Sequence, residues 1–259
     1  MRRTPFLLLL LAAVAATAAT TAGCYRAKPA TVPLRTVALE AGTPYAHCLV
    51  VFLPGRGDVP EDFAKHGFPA ALKKAGSQCA MVAADSHLGY FADHTITARL
   101  DEDVIAPARA RGQNVWLVGI SLGGLGSLLY TREHPDNVKG VIALSPFLGD
   151  DDVIREITQA GGLAAWSPRQ PPGEAGFRRL WLFLKGYEKP DPALPPLWLG
   201  YGRGDRLRGA DGLLAKVLPA DHVLSAEGGH RWSTWMKLWD QFLAGETVPG
   251  RRIAGVTPR

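Results

Sequence analysis

An α/β fold, a mostly parallel sheet with helices on both faces, is what this sequence predicts. Short runs rich in Val, Leu and Ile alternate with helix-length segments between residues 34 and 245, the pattern of repeated βαβ units. Two of the runs, His47 to Leu53 and Asn114 to Gly119, are apolar enough to be central, buried strands. The chain can also fill such a core: 47% of its 259 residues are apolar and 20% charged. That balance excludes disorder over most of the length. A collagen-like or disulfide-scaffold reading fails as well, because 29 Gly show no triplet period and only three Cys are present.

The elements follow in order. His47 to Leu53 is a strand closed by Pro54-Gly55. Pro60 to Ala75 reads as a helix, with Pro60 suited to a first turn and Phe63, Ala70, Ala71 and Ala75 supplying its apolar side. Gln78 to Ala84 is the next strand, ended by Asp85-Ser86-His87. Ile96 to Arg111 is helical in pattern, with Pro107 expected to kink it or mark its last turns. Asn114 to Gly119 is a strand, Leu122 to His134 a helix, and Val138 to Ser145 a strand closed by Pro146. From residue 149 to 190 the rhythm breaks, leaving room for helices at Val153–Ala160 and Gly176–Lys185. Regular alternation returns with a strand at Pro195–Gly200, a helix at Arg208–Val217, a strand at His222–Ala226 and a helix at Trp232–Leu243. The interruption lies between two strands of one sheet, so 149–190 reads as a small cap insertion and not a second domain. Residues 246–259 remain as a C-terminal tail. No internal repeat is visible.

The first 23 residues have a different character. Arg2 and Arg3 precede the apolar run Phe6 to Leu11, and small residues follow to Gly23, the order of a secretory signal peptide. A spanning helix needs about 20 strongly apolar residues, and this stretch weakens into Ala and Thr after Val14. It ends Thr21-Ala22-Gly23-Cys24, which resembles the bacterial lipobox, whose cysteine is lipidated and becomes the mature N-terminus. Thr21 departs from that pattern, where Leu is usual. The resemblance implies an exported protein of the cell envelope or periplasm, attached to the membrane by a lipid at Cys24. Residues 24–33, rich in Pro, Ala and Lys, read as a tether. The net charge of +5 includes Arg2 and Arg3, and the remaining charges are scattered without a block of one sign. Nucleic-acid binding is therefore not expected.

The chemistry centres on Gly119-Ile120-Ser121-Leu122-Gly123, placed where a predicted strand meets a predicted helix. Turning from strand to helix in one residue strains the backbone, and glycines on both sides let neighbouring chain pass. Ser121 is thereby lifted to the strand tip with its hydroxyl exposed over a helix N-terminus, as a nucleophile needs.

With this motif in this context, the chain resembles the α/β-hydrolase superfamily, from about Leu34 to Leu243. The resemblance implies an α/β-hydrolase fold and a triad in chain order Ser, acid, His. His230, in Glu227-Gly228-Gly229-His230, follows the last strand and opens the last helix, the family's place for the base. His87 and His94 could line a pocket, while His47, His66, His134 and His222 lack glycine framing. Asp205, in the loop Gly202-Arg203-Gly204-Asp205 after a late strand, occupies the usual acid position, with Asp150 to Asp152 as competitors. An oxyanion hole needs two backbone N–H donors. Leu122 is one candidate, and Pro54-Gly55-Arg56-Gly57 stands where the family carries His-Gly. Pro54 in place of His leaves the second donor between Arg56 and Gly57, with Arg56 favoured.

The family sheet would also make the strands after Cys48 and Cys79 parallel neighbours. The two cysteines would then be a disulfide at the sheet's end or two small buried apolar residues. Trp232, Trp235 and Trp239 recur at helical spacing, as a face packed on the sheet does. No metal-ligand spacing, P-loop or dinucleotide fingerprint is present, so neither metal nor cofactor is expected. The resulting expectation is an exported serine hydrolase that cleaves a small-molecule carboxylic ester, with no protein partner evident. Thioesterase, lipase or peptidase action would use the same machinery, and a non-catalytic binding protein of the same fold is the alternative from another class.

Overall fold

The structure, a computed structural model, describes residues 28–40, 46–168 and 176–251. The expected signal peptide and Cys24 lie outside the described residues, as do the start of the expected tether and the end of the expected tail. The centre is a seven-stranded sheet of β1 (Thr36–Glu40), β2 (Cys48–Leu53), β3 (Ala80–Ala84), β4 (Asn114–Ile120), β5 (Gly140–Leu144), β6 (Leu197–Gly202) and β7 (Val223–Ala226). Its spatial order is β1-β3-β2-β4-β5-β6-β7, parallel throughout except for the antiparallel edge strand β1. Because the rest run parallel, every loop leaving a strand's carboxyl end emerges on one edge of the sheet. That edge carries the site, as open α/β sheets favour.

Side-chain alternation divides the core into two layers. Leu49, Val51, Leu53, Val115, Leu117, Val141 and Ala143 point to one face. They meet Ile96, Leu100, Leu125, Leu128, Leu180 and Leu214 from α4 (Ile96–Leu100), α6 (Leu122–Glu133), α8 (Phe177–Lys185) and α9 (Arg208–Ala215). Val50, Phe52, Val118, Ile142 and Leu144 point to the other. Phe63, Phe68, Leu72, Leu238, Trp239 and Phe242 cover them from α1 (Asp62–Lys65), α2 (Phe68–Lys74) and α10 (Trp232–Ala244). Strands buried on both sides in this way read as unbroken apolar runs.

Some elements differ from the sequence expectation. The helix expected over 60–75 breaks into α1 and α2 at Gly67, which takes φ 83°. The helix expected over 96–111 is continuous, but its middle turn, Asp101–Ile105, is π-helical between α4 and α5 (Ala106–Ala110). Pro107 lacks an N–H and its ring crowds the carbonyl of residue 103, so the extra residue in that turn relieves both problems. Strand β1 and helix α3 (Leu88–Ala92) were not anticipated. The cap region holds α7 (Asp151–Gln159) and α8, and Phe177 on α8 packs edge-on against Phe147.

Packing extends past both expected domain limits. Within the expected tether, Lys28 Nζ pairs with Asp85 at 3.0 Å, and the Tyr90 hydroxyl bonds the backbone and side chain of Thr31. Leu34, already inside the domain, donates its N–H to Asp103 at 2.7 Å and is buried. Within the expected tail, Val248 is buried and the Arg251 guanidinium bonds the carbonyls of Ala75, Leu243 and Gly245.

Cys48 and Cys79 enter β2 and β3 side by side, with Cα atoms 4.7 Å apart, and are joined by a disulfide closing 31 positions of sequence. Gly250 covers the bridge: a Cβ there would sit 2.6 Å from either sulfur. Titration of the unfolded, unreduced protein should find neither thiol free. Replacing both by Ser should cost about 3–4 kcal/mol of unfolding free energy in the chain-entropy picture. Two free thiols in the titration would mean that the pair is merely buried.

Candidate active site

The site is built from four loops at the carboxyl edge of the sheet. Ser121 stands between β4 and α6 with φ 52° and ψ −111°, a conformation costing about 1–3 kcal/mol that only a well-packed surround can hold. The glycines make that packing possible. A Cβ on Gly123 would lie 2.0 Å from the Leu53 carbonyl oxygen, and one on Gly119 would lie 2.3 Å from the carbonyl of Gly123. No larger residue fits at either place without moving backbone. The result is a serine raised at the tip of β4, with the positive end of the α6 dipole directly beside it.

His230 follows β7 and precedes α10, and Asp205 follows β6. The structure brings these two and Ser121 into one line. His230 Nε2 is 2.9 Å from Ser121 Oγ, and His230 Nδ1 is 3.0 and 2.9 Å from the two oxygens of Asp205. Asp205 is fully buried while His230 and Ser121 keep a small exposed fraction. Burial works to raise the Asp205 pKa. Hydrogen bonds from His230, from the Leu207 N–H and from Ser145, with the imidazole's charge, outweigh it and hold the carboxyl below its usual 3.8. It therefore stays ionised beside the imidazole. The Trp235 ring stands edge-on to His230 at 5.0 Å, and its Nε1 donates to Ser145 Oγ at 3.2 Å.

The remaining candidates fall elsewhere. Asp150, Asp151 and Asp152 are exposed at the start of α7, where Asp152 pairs with Arg155. His87 caps α3 by accepting the Gly89 N–H, and His94 borders an apolar cavity of about 360 Å³ between α6 and α8. His222 stacks on Trp198, and His66 on Trp232. Trp235 and Trp239 are buried in the core, as the helical spacing suggests, and Trp232 packs half-buried against Phe63 and Phe68 while its Nε1 reaches the loop after β2. In that loop a Cβ on Gly55 would be 3.5 Å from Ser121 Cβ, so the chain passes directly by the nucleophile. Arg56 is exposed in the turn that follows, and Leu122 is the first residue of α6.

Three features near the site have no signal in the sequence. Ser145 supports Asp205. Asp58 accepts a hydrogen bond from Trp232 Nε1 at 3.1 Å, fastening the loop beside Ser121 to the first residue of α10. Burial raises the Asp58 pKa, opposed by that hydrogen bond. The third is Asp211 on α9, fully buried, with no partner for either carboxylate oxygen among the described residues.

Burial drives the Asp211 carboxyl well above 3.8, and the charge of Asp205 adds to the rise. A pKa raised by folding stabilises below the unfolded value of about 3.9, and that contribution is lost as pH rises through the folded pKa. Asp211→Asn cannot ionise, so its melting temperature should match wild type in acid and exceed it in mild alkali. The gain should grow with pH as the wild-type carboxyl is forced to ionise. A difference that is the same at both ends of the pH range would contradict this account.

Among known proteins, the sequence pattern of the α/β hydrolase fold matches residues 106–182. No curated protein matches the sequence. Similar solved structures include a monoacylglycerol lipase of Paleococcus ferrophilus, 18% identical, with TM-score 0.51, covering 81% of this chain and 98% of its own. An S-formylglutathione hydrolase of Staphylococcus aureus is 13% identical, with TM-score 0.53 and coverages of 79% and 82%. Est1E of Butyrivibrio proteoclasticus, solved with ferulic acid, is 18% identical, with TM-score 0.51 and coverages of 82% and 94%. The chain has the α/β-hydrolase fold.

Proposed function

We propose that this chain is an exported serine hydrolase that cleaves carboxylic esters through an acyl-enzyme. The observation that carries the reading is the unbroken path from Ser121 Oγ through His230 to Asp205, each step at 2.9–3.0 Å. A hydroxyl is a poor nucleophile until a base takes its proton as it attacks. His230 Nε2 is placed to take it, and ionised Asp205 holds the other nitrogen's proton and stabilises the imidazolium that forms. Ser121 Oγ attacks the ester carbonyl, and the oxyanion is held by the Leu122 N–H and the Arg56 N–H, Gly55 having brought that loop beside the serine. Collapse expels the alcohol, which takes its proton from His230. Water then repeats the sequence and releases the acid. No step requires a metal or cofactor.

Structural neighbours described as a lipase and an esterase support an ester, and the one described as an S-formylglutathione hydrolase supports a thioester as the second reading. Export is supported by the Cys48–Cys79 disulfide, which belongs to an oxidising compartment. The lipobox-like ending at Cys24 supports a membrane anchor.

Labelling with a fluorophosphonate is the test. A competent Ser121 should be phosphonylated stoichiometrically, and tryptic mass spectrometry should place the adduct on that residue. Absence of the adduct under conditions that label a reference esterase would favour a binding protein.

A further inference from the structure

We infer that the catalytic edge of the sheet faces a lipid surface, held there by the short stretch of chain between Cys24 and Lys28. This rests on the anchor reading of Cys24. Its new content is the orientation, which follows from where the strap Lys28–Leu34 is fastened.

Strand β1 runs antiparallel to β3, with Thr36 opposite Ala84, so the chain arrives at the sheet on the edge where the parallel strands end. Every fastening of the strap lies there or on the helices behind it. Lys28 pairs with Asp85, directly after β3, and Asp85 N–H donates to the Arg35 carbonyl at 2.8 Å. The Lys28 carbonyl lies against Gly89, where a Cβ would come within 2.0 Å. Tyr90 and Asp103 hold Thr31 and Leu34. Lys28 is thus a fixed point, and only three residues of chain separate it from Cys24. The four Cα–Cα steps span at most about 14 Å. In the strand order β1-β3-β2-β4, three inter-strand spacings separate the strap's entry from Ser121, again about 14 Å. Cys24 is therefore tied, within about 14 Å of Lys28, to the edge that carries the nucleophile.

The surface agrees with that orientation. The two most exposed large apolar side chains among the described residues are Val32, at 76%, and Val59, at 48%. Both lie within three residues of the pair Arg35 and Glu61, which bonds the strap to the loop after β2. That loop is the one passing Ser121. Two acyl chains suffice for stable anchoring, so the orientation needs little affinity of its own. A rigid strap ending near the site converts simple attachment into a fixed presentation of the site.

The test uses the full chain produced in a bacterial host that processes lipoproteins. Val32→Cys, Val59→Cys and, on the opposite edge beside the start of β5, Lys139→Cys each add one thiol, since Cys48 and Cys79 are bonded to each other. Each is labelled with an environment-sensitive dye and reconstituted into vesicles of phosphatidylethanolamine and phosphatidylglycerol. The dyes at residues 32 and 59 should shift to the blue and lose emission when brominated lipid is included, and the dye at residue 139 should do neither. A Gly/Ser spacer of about 20 residues after Ala27, whose coil dimensions exceed the reach of the native stretch, should abolish both responses. Equal responses at all three positions, or responses that survive the spacer, would overturn the inference. Mass spectrometry of the mature N-terminus separates the two readings: an unmodified Cys24 removes the anchor and the orientation with it, whereas a lipidated Cys24 with no difference between edges removes the orientation alone. No readout uses turnover, so the outcome is independent of the esterase reading.

Discussion

Ser121→Ala is expected to abolish ester hydrolysis while leaving the fold intact. Loss of a triad member removes nearly all of the chemical advantage, about 10⁴-fold or more in kcat, because the remaining groups act only in concert with it. The fold should tolerate the change, since the hydroxyl's one hydrogen bond among those described is to His230. The positive φ at this position strains Ala as it does Ser, so the melting temperature should move little. Hydrolysis of p-nitrophenyl acetate within tenfold of wild type, with the protein folded by circular dichroism, would contradict the assignment of the nucleophile.

Asp205→Asn is expected to be nearly as damaging, by about 10⁴-fold in kcat, and far more so than Asp150→Asn or Asp152→Asn. An amide facing His230 Nδ1 can present its NH₂ there and impose the tautomer that leaves Nε2 protonated. A protonated Nε2 cannot accept the Ser121 proton. The amide also cannot stabilise the imidazolium. Asp150 and Asp152 are exposed on the cap side, and substituting them should change turnover by less than about twofold, in line with surface positions elsewhere. Comparing kcat of the three variants on one ester decides the matter. An inactive Asp150 or Asp152 variant beside an active Asp205 variant would move the acid to the loop after β5.

Much of this arrangement is written in local sequence. The run Gly119-Ile120-Ser121-Leu122-Gly123 states its own geometry, since only a tight strand-to-helix turn needs small residues on both sides of a serine. The placement of Asp205 and His230 comes from the resemblance to the α/β-hydrolase family, and a parallel sheet permits it because every following loop lies on one edge. What stayed hidden depends on contacts between distant segments. Ser145 is an ordinary serine before a proline until β5 and β6 lie side by side. Asp58 and Trp232 are 174 positions apart, and neither type nor spacing predicts their bond. Asp211 sits on a helix whose pattern gives no sign that a carboxyl is buried there. The break at Gly67 is hidden because its neighbours suit a helix, and β1 because a five-residue edge strand needs only one partner. The π-turn was half visible, since Pro107 announced an irregularity without saying which kind.

The disulfide has a further consequence through what it encloses. The covalent ring closed by Cys48 and Cys79 contains β2, the loop that passes Ser121, Asp58 with its bond to α10, and both α1 and α2. A single peptide-bond cleavage anywhere inside that ring leaves the two halves joined, so a protease that nicks the exposed turn at Arg56-Gly57 does not release a fragment. The nicked chain keeps β2 and β3 at their register, and the ends remain where they can reseat. The loop beside Ser121 is thus the part of the site whose damage the covalent framework can best contain.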